Sequence, residues 1–105
     1  MKFVGDEVMF ATNDVDDAHH VALALLEWVS THDHLSSARA GIASGPVIVR
    51  NGDLYGATVN LAARLASLAE PDTIVVADDT ADTTVTVRGF REPIHIRTTV
   101  RADRR

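Results

Sequence analysis

Residues 52–69 constrain this chain most, because they predict a turn that opens into a helix with few polar positions. Gly52 and Gly56 bound the turn. The apolar positions behind it are Val59, Leu61, Ala62, Ala63, Leu65, Ala66, Leu68 and Ala69. A surface helix normally has a polar face wide enough to meet water. We therefore expect this helix to be mostly buried.

The polar residues of the same helix form one narrow stripe. Asn60, Arg64 and Ser67 are spaced i, i+4 and i+7, so they share one side of the helix. A buried guanidinium needs an anionic partner. The sequence leaves open whether Arg64 pairs with an aspartate of the same chain or with an anion from outside it.

Length and composition restrict the chain to one small globular domain. It has 105 residues, of which 46% are hydrophobic and 24% are charged. The formal charge of -5 disfavours nonspecific nucleic-acid binding. The absence of cysteine removes disulfides and thiol catalysis, and no apolar run approaches the roughly 20 residues of a membrane helix. We expect a cytoplasmic protein that does not bind nucleic acid, and we expect no membrane segment in this chain.

Hydrophobic periodicity predicts the element order β-β-α-β-α-β-β-β, which is an α+β pattern. In chain order we expect a hairpin about residues 5–7, a helix at 14–33, a strand at 39–50 bent at Gly45-Pro46, a helix at 57–70, a strand at 73–77 and a final antiparallel pair joined by 88–93. Asn13-Asp14 supplies the first helix cap. Residues 101–105 are expected to form a disordered basic tail.

Four segments resemble the class III adenylyl/guanylyl cyclase catalytic domain. They are K-F-V-G-D at 2–6, G-I-A-S-G-P at 41–46, the string from Asp53 to Arg64, and R-G-F at 88–90. The string follows the pattern D-x-x-G-x-x-V-N-x-A-x-R, which leaves few rival families. The resemblance covers residues 1–100 as a partial catalytic domain. The family's opening strand and helices, which carry its first metal-binding aspartate, are not part of this sequence.

The resemblance implies a ferredoxin-like α+β sandwich, with an antiparallel sheet and the helices on one face. In the family fold the missing first strand lies between the hairpin strand at 8–12 and the strand at 39–49. We therefore expect either that these two strands pair directly or that another chain fills the gap. Unpaired strand edges are otherwise costly.

The resemblance also implies a reaction. In this family two carboxylates hold two Mg²⁺ (or Mn²⁺) ions, and the ribose 3′-hydroxyl of ATP attacks the α-phosphate to give cyclic AMP and pyrophosphate. Asp6 matches the second metal aspartate, although it could simply be a turn residue. Asn60 matches the residue that orients the ribose, and Arg64 matches the one that stabilises the charged transition state.

Three further residues match the family's substrate-binding positions. Lys2 and Asp53 match the pair that reads the purine, and their identities favour adenine over guanine. Arg88 stands where the family has a basic residue for the terminal phosphates. Each has an ordinary alternative: a surface-strand lysine for Lys2, a helix N-cap for Asp53, and for Arg88 an arginine that merely precedes a glycine, which is a common pair.

Three functions remain open. The first is an adenylate cyclase, or a fragment of one with impaired activity alone. The second is a non-catalytic cyclase-homology module for dimerisation or nucleotide binding. The third, a diguanylate cyclase suggested by Gly5-Asp6-Glu7, is disfavoured by Val4 and by the string at 53–64. The family works as a head-to-tail dimer, so we expect a homodimer, or a heterodimer with another cyclase domain, that binds ATP.

Overall fold

The computed structural model describes residues 2–4, 7–9, 14–31 and 38–100. Its elements are β1 (Lys2–Val4), β2 (Glu7–Met9), α1 (Val15–Ser30), β3 (Ala40–Ile42), β4 (Ile48–Arg50), β5 (Asp53–Tyr55), α2 (Ala57–Leu68), β6 (Thr73–Ala77), β7 (Thr83–Val85) and β8 (Ile94–Val100). The expected α+β class is confirmed. Of the helices described, neither is long and apolar enough to cross a membrane.

The main sheet has four strands in the order β3-β6-β8-β7. β8 runs antiparallel to both of its neighbours, but β3 and β6 are parallel. The sheet is therefore mixed and differs in this detail from the antiparallel sheet that we expected. The reason is the crossover through α2, which returns the chain to the sheet in its original direction.

The two helices pack on opposite faces of this sheet, whereas we expected both on one face. Ile74 and Val76 of β6 are buried in a cluster with Leu26 of α1, and Val75 is buried in a second cluster with Leu65 of α2. Successive side chains of a strand point to opposite faces. The uninterrupted apolar run of β6 is typical of a strand that is covered on both sides.

The start of α1 agrees with the sequence. Asp14 is the N-cap, and its Oδ1 accepts a hydrogen bond of 2.8 Å from the backbone N–H of Asp17. Asp16 and Asp17 lie in the first turn, where negative charge is favourable to the helix dipole.

The expected bent strand at 39–50 is divided into β3 and β4. Asn51 and Gly52 then join β4 to β5 as a hairpin, in which Arg50 pairs with Asp53. Both turn residues have positive φ, at 53° and 80°, as a two-residue type I′ turn requires. The turn was predicted correctly, but we expected it to lead into the helix and missed β5.

The N-terminal hairpin is confirmed, because Lys2 of β1 pairs with Met9 of β2 and Val4 pairs with Glu7. Gly5 and Asp6 lie outside the described residues, as does the tail at 101–105. Among the described strands β2 pairs with β1 and β3 pairs with β6. The direct pairing of the hairpin with β3 is therefore not seen, and filling of that gap by another chain stays a prediction.

Candidate active site

An open groove runs between α2 and the segment that follows β7. Its volume is about 460 Å³, which falls in the range of small-molecule sites. We call it the α2 groove, and its lining residues are Asn60, Ala63, Arg64, Ser67, Leu68, Thr86, Val87 and Arg88. Three of the predicted site residues, Asn60, Arg64 and Arg88, are thus brought together.

The wall formed by α2 is its predicted polar stripe. Leu65 is the one fully buried residue within Ala57–Leu68, and it holds the helix on the sheet. Asn60, Arg64 and Ser67 are all exposed. The helix is therefore less buried than we expected from its apolar composition, and its stripe faces an open depression.

Arg64 has no partner of its own chain within the part that the structure describes. No described residue forms a hydrogen bond or ion pair with its guanidinium. The first alternative from the sequence, an aspartate of the same chain, is therefore not found among residues 14–31 and 38–100. The guanidinium is free to bind an anion in the groove.

A β-turn presents Arg88 on the other wall. Val87 is only 2% exposed and packs in the same cluster as Leu65. The N–H of Phe90 donates to the carbonyl oxygen of Val87 at 3.0 Å, and Gly89 has a φ of +90°, which is typical of the third position of a type II turn. Arg88 occupies the second position of that turn, beside a residue that is fixed in the core.

Gly41 determines how closely α2 lies against the sheet. A Cβ atom at this position would overlap the carbonyl oxygen of Ala62 and the backbone nitrogen of Ala66, and it would lie 3.0 Å from the carbonyl carbon of Leu65. Glycine in the G-I-A-S-G-P segment therefore has a packing reason: β3 passes directly under the turn of α2 that carries Arg64.

The described lining of the groove is positively charged. It is lined by two guanidinium groups, of Arg64 and Arg88, and no described acidic residue lines it. This cationic site lies on a chain whose formal charge is -5. Paired arginines with planar donor groups suit phosphate oxygens in particular.

Asp53 does not join the groove. It lies in β5, it is half-buried, and it accepts a hydrogen bond of 3.0 Å from the hydroxyl of Tyr55. It is not the helix N-cap either, because Gly56 occupies that position. Lys2 belongs to β1, but its side chain lies outside the described part of the structure, so a Lys2–Asp53 pair stays a prediction.

Metal binding is not supported by the described side chains. Residues 14–31 and 38–100 contain no group of three or more His, Asp or Glu that could hold a metal ion, and the α2 groove presents cationic side chains, which repel metals. The predicted metal ligand Asp6 lies outside the described residues. The described residues therefore do not fit a metal ion by themselves.

A second depression lies at the end of β6, around Asp78. Hydrogen bonds from the side chain and backbone of Thr80, and then from Arg97, hold the pKa of Asp78 below its ordinary value. The hydroxyl of Thr80 is 2.6 Å and the Nε of Arg97 is 3.1 Å from the carboxylate. These contacts fix the turn between β6 and β7 and leave Arg97 neutralised.

Thr86 is a groove residue that the sequence analysis missed. A signal was present, because Thr86 and Arg88 flank a single apolar residue, Val87, and alternation along an extended segment predicts that both face away from the core.

Comparison with known proteins gives one family. The family model described as the adenylate and guanylate cyclase catalytic domain matches residues 2–102. An adenylate cyclase of Streptomyces griseus is 46% identical over 76 residues, which are 72% of this chain and 19% of that protein. An adenylate cyclase of Streptomyces coelicolor is 44% identical over 81 residues, 77% of this chain and 21% of that protein.

A pH-sensitive adenylate cyclase of Mycobacterium tuberculosis is 38% identical over 78 residues, 74% of this chain and 20% of that protein. The chain thus spans about a fifth of the length of these relatives. The family match extends over nearly the whole sequence and includes all three residues that the α2 groove assembles. The chain belongs to the family of adenylate and guanylate cyclase catalytic domains.

Proposed function

We propose that this chain supplies the purine- and phosphate-binding half of an adenylate cyclase, which converts ATP to cyclic AMP and pyrophosphate. The observation that carries the proposal is the α2 groove, in which Asn60, Arg64 and Arg88 lie on facing walls. Relatives that share 38–46% of the aligned residues are named adenylate cyclases, which supports the same reaction here.

The two arginines act on the triphosphate. Arg64 projects from α2 and Arg88 from the turn after β7, so they approach one ligand from two walls. A guanidinium can donate two parallel hydrogen bonds to phosphate oxygens and stabilise charge that develops during transfer. The amide of Asn60, one helical turn before Arg64, can both donate to and accept from a ribose hydroxyl.

The openness of the groove explains why we propose a dimer. Arg64 and Arg88 are both exposed, and charge interactions are weak in contact with bulk water and strengthen when water is excluded. A second cyclase domain that covers the groove would exclude water and bring carboxylates to the substrate. The partner is a second copy of this chain or another cyclase domain.

Members of this family generally use divalent ions, which would activate the attacking hydroxyl and neutralise phosphate charge if they were bound here. Asp6 is the residue of this chain that we propose to share in holding Mg²⁺ or Mn²⁺. The family resemblance matches Asp6 to one of the two metal carboxylates, and we propose that the partner domain supplies the other. A single carboxylate binds Mg²⁺ only weakly. The chain alone should therefore have very little cyclase activity.

Complementation tests the proposal. This chain is mixed with a relative's cyclase domain that has both metal aspartates but lacks its own transition-state arginine, and cyclic AMP is measured. We expect activity in the mixture and little from either protein alone. Arg64→Ala in this chain should reduce the rescued activity roughly 10- to 150-fold, because it removes hydrogen bonds to charged oxygens that contribute about 1.5–3 kcal/mol.

Arg91→Ala is the matched control. Arg91 is exposed and lies three residues after Arg88, but it does not line the groove, so this variant should rescue like the unmodified chain. Robust activity of this chain alone would refute the claim that a second metal carboxylate has to be supplied by another protein. No rescue despite confirmed association would favour the alternative function, a non-catalytic module for dimerisation or nucleotide binding.

A further inference from the structure

Two hydroxyl side chains line the α2 groove in addition to the residues that the family resemblance identifies. Ser67 stands on the α2 wall and Thr86 on the facing wall. Both are exposed. They differ in whether the hydroxyl already donates a hydrogen bond within the chain.

The proton of Ser67 is engaged within the helix. Its Oγ donates to the carbonyl oxygen of Ala63 at 3.2 Å, so binding a ligand oxygen would require this bond to break. The hydroxyl of Thr86 forms no hydrogen bond with any residue that the structure describes. Thr86 is therefore the hydroxyl of the groove that can donate without losing an existing interaction.

The backbone around Thr86 is fixed by its neighbours. Val85, the last residue of β7, pairs with Ile94 of β8. Val87, on the other side, is buried beside Leu65 and accepts the hydrogen bond that closes the turn at 87–90. Threonine is also stiff at χ1 because it is β-branched. A donor that is already held in position loses little entropy when a ligand binds.

The chemistry of the ligand follows from the charges nearby. Arg64 and Arg88 line the same groove as Thr86, and the described lining contains no carboxylate that would compete for the hydroxyl proton. Two guanidinium groups and one hydroxyl donor together suit a polyphosphate, whose oxygens accept hydrogen bonds from several directions.

We propose that Thr86 is a further substrate-binding residue, whose hydroxyl donates a hydrogen bond to a phosphate oxygen of the nucleoside triphosphate. This inference rests on the proposed function, since it takes the α2 groove to be the site for the triphosphate of ATP. It adds a neutral, directional donor to the two cationic ones and assigns it to the wall that carries Arg88.

The test is titration calorimetry of the full chain with ATP and with inorganic triphosphate. Thr86→Val keeps the shape of the side chain but removes the hydroxyl, and it should weaken the binding of both ligands about tenfold. Thr86→Ser, which restores a hydroxyl, should bind within about threefold of the unmodified chain. Ser67→Ala should cost less than Thr86→Val, because its proton is held by Ala63.

Thr84→Val is the matched control. Thr84 is exposed on β7, where it pairs with His95, and it lies outside the groove. It should leave both affinities unchanged, and thermal unfolding should show that all variants fold.

The outcomes separate the two proposals. If Arg64→Ala weakens triphosphate binding but Thr86→Val does not, this inference is overturned and the proposed function stands. A larger loss for Ser67→Ala than for Thr86→Val would overturn it as well. If the unmodified chain binds neither ATP nor triphosphate, this inference is overturned, and the complementation assay decides the proposed function separately.

Discussion

Gly41→Ala gives a sharp test of how the sheet holds the helix that carries Arg64. The added methyl group would overlap two backbone atoms of α2, the carbonyl oxygen of Ala62 and the nitrogen of Ala66. Backbone atoms cannot rotate away as a side-chain end can, so the helix has to move from β3. We therefore expect a loss of stability together with a displacement of Arg64.

The magnitude follows from two opposing effects. Forcing one methyl group into a packed contact costs about 1–3 kcal/mol, and two backbone overlaps favour the upper end. Alanine in place of glycine recovers about 0.5–1 kcal/mol by restricting the unfolded chain. The free energy of unfolding should therefore fall by about 2 kcal/mol. This is a large part of the roughly 5–15 kcal/mol by which a small domain is stable. The melting temperature should fall by about 8–16 °C.

Urea denaturation followed by circular dichroism measures the free energy of unfolding, and calorimetry with triphosphate reports on the groove. Gly52→Ala is the matched control, because a Cβ at Gly52 meets nothing within 4 Å and only its φ of +80° is unfavourable. Gly52→Ala should lower the free energy of unfolding by about 1 kcal/mol and leave triphosphate binding unchanged. Unchanged stability of Gly41→Ala would show that α2 does not approach β3 so closely.

Two further predictions concern the base and the turn at Asp78. If Lys2 and Asp53 recognise adenine, a competition titration should show that the chain prefers ATP over GTP. The double variant Lys2→Glu, Asp53→Cys should lose about 1–3 kcal/mol of that preference. Equal affinity of the unmodified chain for both purines would refute the role of Lys2 and Asp53 in base recognition. The folded-state pKa of Asp78 lies below its ordinary value of 3.8, so its carboxylate stabilises the fold fully above that pH and progressively less as the pH falls through the folded-state pKa. Asp78→Asn should therefore lower the free energy of unfolding at neutral pH, and the difference should shrink only below about pH 4; a difference that is constant down to pH 2 would contradict the hydrogen bonds from Thr80.

Local sequence patterns were sufficient for most elements. The cap at Asp14, the hairpin of β1 and β2, and the turn at Asn51-Gly52 were all predicted from a few neighbouring residues. Each depends on local backbone geometry or on one capping hydrogen bond, so neighbouring residues carry the information. The polar stripe of α2 was predicted in the same way, from helical spacing alone.

Contacts between distant segments decided the rest. The sequence could not show that β3 and β6 are parallel or that the helices cover opposite faces, because these features depend on where the chain crosses the sheet. The spacing around Val87 gave no sign that this residue packs beside Leu65. That distant contact brings Thr86 and Arg88 alongside Arg64, so the facing walls of the groove exist only in the folded chain.

The sequence by itself determined the family, the α+β class and three residues of the groove, since those depend on residue identity and local periodicity. Only the tertiary structure decided that Asn60, Arg64 and Arg88 share one open groove while Asp53 lies outside it. The physical reason is that side chains from separate segments meet only where buried residues such as Leu65 and Val87 fix those segments against each other.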